Sequence, residues 1–129
     1  MKTLGGDDKC HEIHWKPTSR DFLPQDCISL RNAIWYGGGE FYHQKWPLMN
    51  VSIPLQPYLP NDLMYKMKNN KPPGNVFGNV VERFWFNSKA VGIVVESSVP
   101  LFVSFNASNS NLLCFTTNTD HPRYPTGGN

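Results

Sequence analysis

Long apolar runs, clustered charge of one sign and a dense cysteine framework are all missing from this 129-residue chain. No stretch reaches the about 18 consecutive apolar residues of a membrane-spanning helix. The opening segment, Met1-Lys-Thr-Leu-Gly-Gly-Asp-Asp-Lys9, lacks the apolar core of a secretory signal, so any targeting signal is expected outside the chain. The 12 basic and 10 acidic residues are scattered and leave a formal net charge of +2. The densest basic stretch, Lys66 to Lys71, is broken by Met67, Asn69 and Asn70 and reads as a solvated loop. Tracking a phosphate backbone requires contiguous Lys and Arg that release counterions, so nucleic acid is not an expected partner.

Three cysteines are too few for a disulfide scaffold. Cys10 and Cys27 enclose a short loop that a disulfide closes with a stabilisation of roughly 3 kcal/mol, and their pairing is the expectation. It leaves Cys114 for a partner elsewhere in the polypeptide. The alternative is three reduced, buried thiols.

The common catalytic signatures are absent as well. His11-Glu12-Ile13-His14 has its histidines three apart, whereas a zinc-binding helix needs them at i and i+4. On a strand, residues three apart face opposite ways, so the pair is not expected to chelate a metal. No Gly-x-Ser-x-Gly elbow occurs, and Gly37-Gly38-Gly39 fits neither a dinucleotide fingerprint nor a phosphate loop. No catalytic residue, metal or cofactor is assigned.

What is present is turn-rich and β-prone. With 10 Gly, 11 Pro and 40% hydrophobic residues, the chain reads as globular, a single domain over 1–129 with an irregular tail over 118–129 that looks cut in mid-loop. Between Asn79 and Thr117, β-branched and aromatic residues alternate with short polar clusters. The pattern predicts an antiparallel meander with strands Val80 to Phe86, Ala90 to Glu96, Pro100 to Phe105 and Asn111 to Thr117. Apolar runs such as Val91 to Val95 are short and bounded by turn formers, which favours strands over a buried helix. Further strands are expected at Glu12 to Trp15, Asn32 to Tyr36 and Asn50 to Pro54, while prolines between them exclude long helices. Asn61 to Gly78, rich in Met, Lys, Asn, Pro and Gly, reads as a long exposed excursion. The expected fold class is all-β, an antiparallel β-sandwich.

Two features can touch a ligand. Asn50-Val51-Ser52 and Asn106-Ala107-Ser108 are N-glycosylation sequons, compatible with the secretory pathway. In Trp35-Tyr36-Gly37-Gly38-Gly39-Glu40, the glycines allow close backbone approach and the aromatic faces of Trp35 and Tyr36, with Trp46, can stack on a sugar ring. Glu40 can accept hydrogen bonds from hydroxyls or hold the loop. The competing reading of the same residues is an irregular corner with Trp35 and Trp46 in the core.

Trp35 to Glu40 resembles the Tyr-Gly-Leu-Gly-Glu segment in the N-terminal domain of glycoside hydrolase family 31, with Gly38 in place of Leu. It is most similar to the myogenesis-regulating glycosidase branch through Trp46-Pro47, Gln56-Pro57-Tyr58 with Asp62, Gly78-Asn-Val-Val-Glu-Arg-Phe-Trp85, and Ser88-Lys-Ala90 leading to Glu96-Ser-Ser-Val-Pro100. The similarity runs from about Cys10 to Tyr124 in order and spacing. It implies a non-catalytic β-sandwich that buttresses the (β/α)₈ barrel of a retaining α-glycosidase, the barrel being expected after Asn129. It also implies that Asp62 sits on a loop lent to the active-site mouth, where it contacts hydroxyls of an α-linked glycan or glycoside, and that Glu40 supports that loop. A face that docks on a barrel should carry a contiguous apolar patch. The alternatives are a self-standing carbohydrate-binding module using Trp35, Tyr36 and Trp46, and a degenerate pseudo-enzyme used for interaction.

Overall fold

The computed structural model describes residues 9–16, 18–19, 21, 23–48, 50–61 and 76–118. They form seven strands: β1 Gln25–Ser29, β2 Trp35–Gly37, β3 Ile53–Pro57, β4 Phe84–Asn87, β5 Gly92–Val94, β6 Leu101–Phe105 and β7 Leu112–Thr117. Every pairing is antiparallel. One sheet has the order β1-β7-β6-β3 and the other β2-β4-β5.

The alternation of side chains explains how the sheets meet. Leu101, Val103 and Phe105 share one face of β6, and the registers Val103↔Phe115 and Phe105↔Leu113 put Leu113 and Phe115 of β7 beside them. Ile53 of β3 joins opposite Phe105. From the second sheet, Trp35 and Trp85 point to the same interior, where all these residues belong to one buried cluster. Trp85 meets Phe115 edge to face at 5.0 Å between ring centroids, which fixes the sheet-to-sheet contact. The architecture is the expected all-β two-sheet arrangement.

The meander, however, is split. β4 and β5 pair in one sheet and β6 and β7 in the other, so the chain changes sheet between Val94 and Leu101. Arg83 holds that crossing, because its Nη1 donates to the carbonyls of Glu96 and Val99 at 2.6 and 2.7 Å. Residues 9–16 carry no strand, and Trp15 instead donates from its indole to Asp26 at the edge of β1. His14 and Glu12 form an exposed surface pair at 3.0 Å. β1 itself was not expected, since Gln25-Asp26-Cys27-Ile28-Ser29 offers little apolar alternation.

The cysteine expectation is also corrected. Cys27 bonds to Cys114, and Cys10 is the exposed free thiol. Cys27 and Cys114 are direct cross-strand partners in the β1–β7 ladder with Cα atoms 4.1 Å apart, whereas Cys10 lies on the irregular segment outside either sheet. Loop length alone favoured the wrong pair because it takes no account of which strands are neighbours. The irregular tail lies outside the described residues beyond Asn118.

The bridge joins positions separated by 87 residues, a closure that restricts the unfolded chain by roughly 4–5 kcal/mol in the chain-entropy model. Replacing Cys27 and Cys114 together by Ala is expected to lower unfolding free energy by about 3–5 kcal/mol in denaturant titrations. Cys10→Ala should change it negligibly, and non-reducing peptide mapping should recover a Cys27–Cys114 linked peptide.

Candidate functional site

Two regions stand out, the base of the excursion that leaves after Asn61 and the outer face of the three-stranded sheet. At the base, residues 40–42 run antiparallel to 76–80. Glu40 N–H donates to the Val80 carbonyl at 2.7 Å, Gly78 N–H to the Glu40 carbonyl at 2.7 Å and Tyr42 N–H to the Val76 carbonyl at 3.0 Å. Asn61 locks onto the other side, its N–H donating to the Gly78 carbonyl at 2.8 Å. Its side-chain amide, buried with the residue at 5% exposure, donates to the carbonyls of Leu59 at 2.9 Å and Phe77 at 3.2 Å. Both ends of the excursion are thereby tied to one another and to Glu40.

The core supports this base from below. Tyr58 packs edge to face on Phe77 at 4.6 Å and against Trp85 at 5.3 Å, and its hydroxyl donates to the Glu82 carbonyl at 2.6 Å. Burial pushes the Tyr58 hydroxyl far above the ordinary phenol range, so it stays a neutral donor. Glu40 holds the loop with its side chain as well, Oε2 accepting from the Asn79 N–H at 3.2 Å. Asp62 itself lies outside the described residues, as does the basic stretch from Lys66 to Lys71.

The glycine run has a clear physical role. Gly38 has φ of +75°, and a Cβ there would sit 2.6 Å from Nε1 of Trp85; at Gly37, φ is +101° and a Cβ would sit 2.8 Å from Trp85 Cα. The close neighbour these glycines permit is thus β4 of the same sheet. Beneath them lies a cavity of about 10 Å³ lined by apolar groups including Phe41, Leu48 and Phe105, far too small for a sugar.

On the outer face, β4 presents Phe84 and Phe86 outwards while Trp85 points in. Tyr36 pairs with Phe86 in register, and Trp46 follows beyond it on the segment with the cis Trp46–Pro47 peptide. The four rings form a continuous stack: Trp46 on Tyr36 at 6.4 Å, Tyr36 on Phe86 at 5.5 Å and Phe86 on Phe84 at 5.6 Å, with interplanar angles of 12°, 16° and 22°. Trp46, Phe84, Phe86 and neighbouring Val94 remain 52%, 45%, 43% and 75% exposed. The surface is an apolar, unusually aromatic strip.

Of the residues singled out in the sequence, Tyr36 and Trp46 are on this strip and Glu40 is at the loop base. Trp35 faces the core at 3% exposure and cannot reach a ligand. A platform of Trp35, Tyr36 and Trp46 is therefore not formed. The middle rings, Tyr36 and Phe86, each have a near-parallel ring on either side at centroid distances of 5.5–6.4 Å. Phe84, Phe86 and Asn61 were missed by sequence reading, although the alternation Phe84-Trp85-Phe86 already placed two phenylalanines on one side of a strand.

Residues 27–128 match the family model of the myogenesis-regulating glycosidase N-terminal domain. The chain is 33% identical over 112 residues to the SITS-binding protein of Tetronarce californica, covering 87% of this chain and 15% of that protein. It is 26% identical over 106 residues to the myogenesis-regulating glycosidase of Mus musculus, covering 80% of this chain and 14% of that protein. The chain thus spans about one seventh of the length of these curated relatives.

Gly38→Leu, which installs the residue of the family-like segment, should cost about 1–3 kcal/mol because the side chain must displace Trp85 from a backbone position that disfavours it. Thermal melts should show the loss and Trp fluorescence should shift to the red. Glu40→Gln, which keeps an acceptor for Asn79, should leave the melt nearly unchanged.

Proposed function

Since this chain belongs to the family of myogenesis-regulating glycosidase N-terminal domains, we propose that it is the non-catalytic domain of a retaining α-glycosidase. It buttresses a (β/α)₈ barrel in the same polypeptide and lends the active-site mouth the loop that carries Asp62. The observation that carries this reading is the aromatic strip of Trp46, Tyr36, Phe86 and Phe84, which leaves an apolar sheet face open. A face of ring edges and Val94 matches the apolar exterior of a protein better than the polar hydroxyls of a sugar.

Size supports the division of labour. A barrel takes roughly 250 residues, so the two carboxylates that flank the glycosidic bond about 5–5.5 Å apart belong to a longer chain than this. One of them attacks the anomeric carbon and the other protonates the departing oxygen, then activates water to release the sugar. The contribution of this domain is positional. Asn61, the last described residue before Asp62, is fixed through three hydrogen bonds to Leu59, Phe77 and Gly78, and Glu40 braces residues 78–80. In this reading the Asp62 carboxylate accepts hydrogen bonds from hydroxyls of an α-linked glycan. The Cys27–Cys114 bond favours an oxidising compartment, the lumen of the secretory pathway or the extracellular space.

Two variants of the full-length glycosidase test this. Asp62→Asn should lower kcat/KM for an α-glycoside at least about tenfold, or about 1.4 kcal/mol, while leaving the melt unchanged. Phe84→Ser with Phe86→Ser should expose the barrel contact, seen as faster limited proteolysis between domains and lower activity. Unaltered kinetics for Asp62→Asn would remove the loop from the substrate pocket, and unaltered proteolysis for the double variant would remove the strip from the interface.

A further inference from the structure

The two sequons meet in space. Antiparallel pairing of β3 with β6 brings Ile53 opposite Phe105, so Asn50-Val51-Ser52, just before β3, abuts Asn106-Ala107-Ser108, just after β6. Their asparagines are not equivalent. Asn106 is partly buried, and its Nδ2 donates to the carbonyl of Val51 at 3.2 Å, while its Oδ1 accepts from the N–H of Asn111 at 2.9 Å. Its own N–H donates to the Leu112 carbonyl at 2.8 Å and its carbonyl accepts from Asn109 at 3.1 Å. The carboxamide therefore pins the β6–β7 turn to the entry of β3, and Val51 beside it is 2% exposed. A sugar on Nδ2 would replace one of its two hydrogens beside the Val51 carbonyl that holds the nitrogen, at a residue already partly buried, and the group cannot rotate away without releasing both bonds.

Asn50 presents the opposite case. It is exposed in a turn at φ of +59°, a conformation asparagine tolerates, and its carboxamide makes no hydrogen bond among the described residues. We propose that Asn50 carries an N-linked glycan in the folded protein and that Asn106, although a formal sequon, remains unmodified as a structural pin. The inference rests on the secretory-pathway reading above. In the transfer, Asn50 Nδ2 bonds to the anomeric carbon of an oligosaccharide donated from a lipid pyrophosphate. The bond from that carbon to the pyrophosphate oxygen breaks, the lipid pyrophosphate leaves, and the amide nitrogen gives up one proton.

The site also suits the proposed architecture. β3 runs from this end towards Tyr58 and Asn61, so a strand of about 16 Å, at roughly 3.3 Å per residue, separates the glycan from the loop base. A hydrated oligosaccharide at Asn50 marks an end of the sandwich that stays in solvent.

The test uses the full-length protein expressed in secretory eukaryotic cells, with two variants that remove one sequon each without removing the local turn chemistry. Asn50→Asp should abolish the mobility shift produced by peptide N-glycosidase on the tryptic peptide containing position 50. Ser108→Ala, which leaves the Asn106 carboxamide in place, should change neither glycan occupancy nor melting temperature, whereas Asn106→Gln should lower melting temperature. Enzymatic release in heavy-oxygen water should label Asn50 and not Asn106. Label at Asn106 with its sequon intact, or at both positions, overturns the inference. Absence of label at both positions also overturns it. If Cys27 and Cys114 are then still found linked, the secretory reading survives; if they are reduced, that reading falls as well.

Discussion

The packing of Trp85 is the constraint on which the rest of this structure depends. Its ring meets Phe115 across the two sheets and Tyr58 beneath the loop base. Its indole nitrogen occupies the space that a side chain at position 38 would need. A buried aromatic of this size contributes by area more than most core residues, and here three separate regions lean on it. Because Trp85 points inwards, strand alternation sends Phe84 and Phe86 outwards, so the aromatic strip is a geometric consequence of the same residue.

The β class was legible because the chain is dense in β-branched and aromatic residues and punctuated by Asn, Ser, Gly and Pro. β5 to β7 were found at nearly correct places for that reason, whereas β4 starts at Phe84 rather than at the expected Val80. Their division between two sheets was not legible, since both arrangements share the same hairpin signals. The crossing depends on Arg83 reaching two carbonyls, a contact with no local signature. β1 escaped because a half-polar strand at a sheet edge shows little periodicity, and its status emerges only from pairing with β7. The cysteine connectivity failed for the same reason.

At the candidate site, the importance of the segment from Trp35 to Glu40 was visible but its mode of action was not. Glycine-rich composition announces a close approach without saying to what, and here the partner is the adjacent strand. Glu40 accepts from the Asn79 N–H, a contact between distant segments that has no local signature. The separation of Trp35 from Tyr36 follows from a period of two, which a strand ending at Tyr36 already contained. Asn61 could not be found from sequence, because its value lies in being buried between carbonyls that come from residues on both sides of the excursion.

The β1–β7 pairing carries a mechanical consequence. Gln25 lies opposite Thr116 at the outer end of the ladder, with Asp26 opposite Phe115 next and the Cys27–Cys114 bond third. Tension entering through the polypeptide on either side of this domain peels the first two pairs like a zipper and then reaches a covalent stop. From that point force passes directly from Cys27 to Cys114, and the chain between them, with both sheets and the loop base, is short-circuited and bears no load.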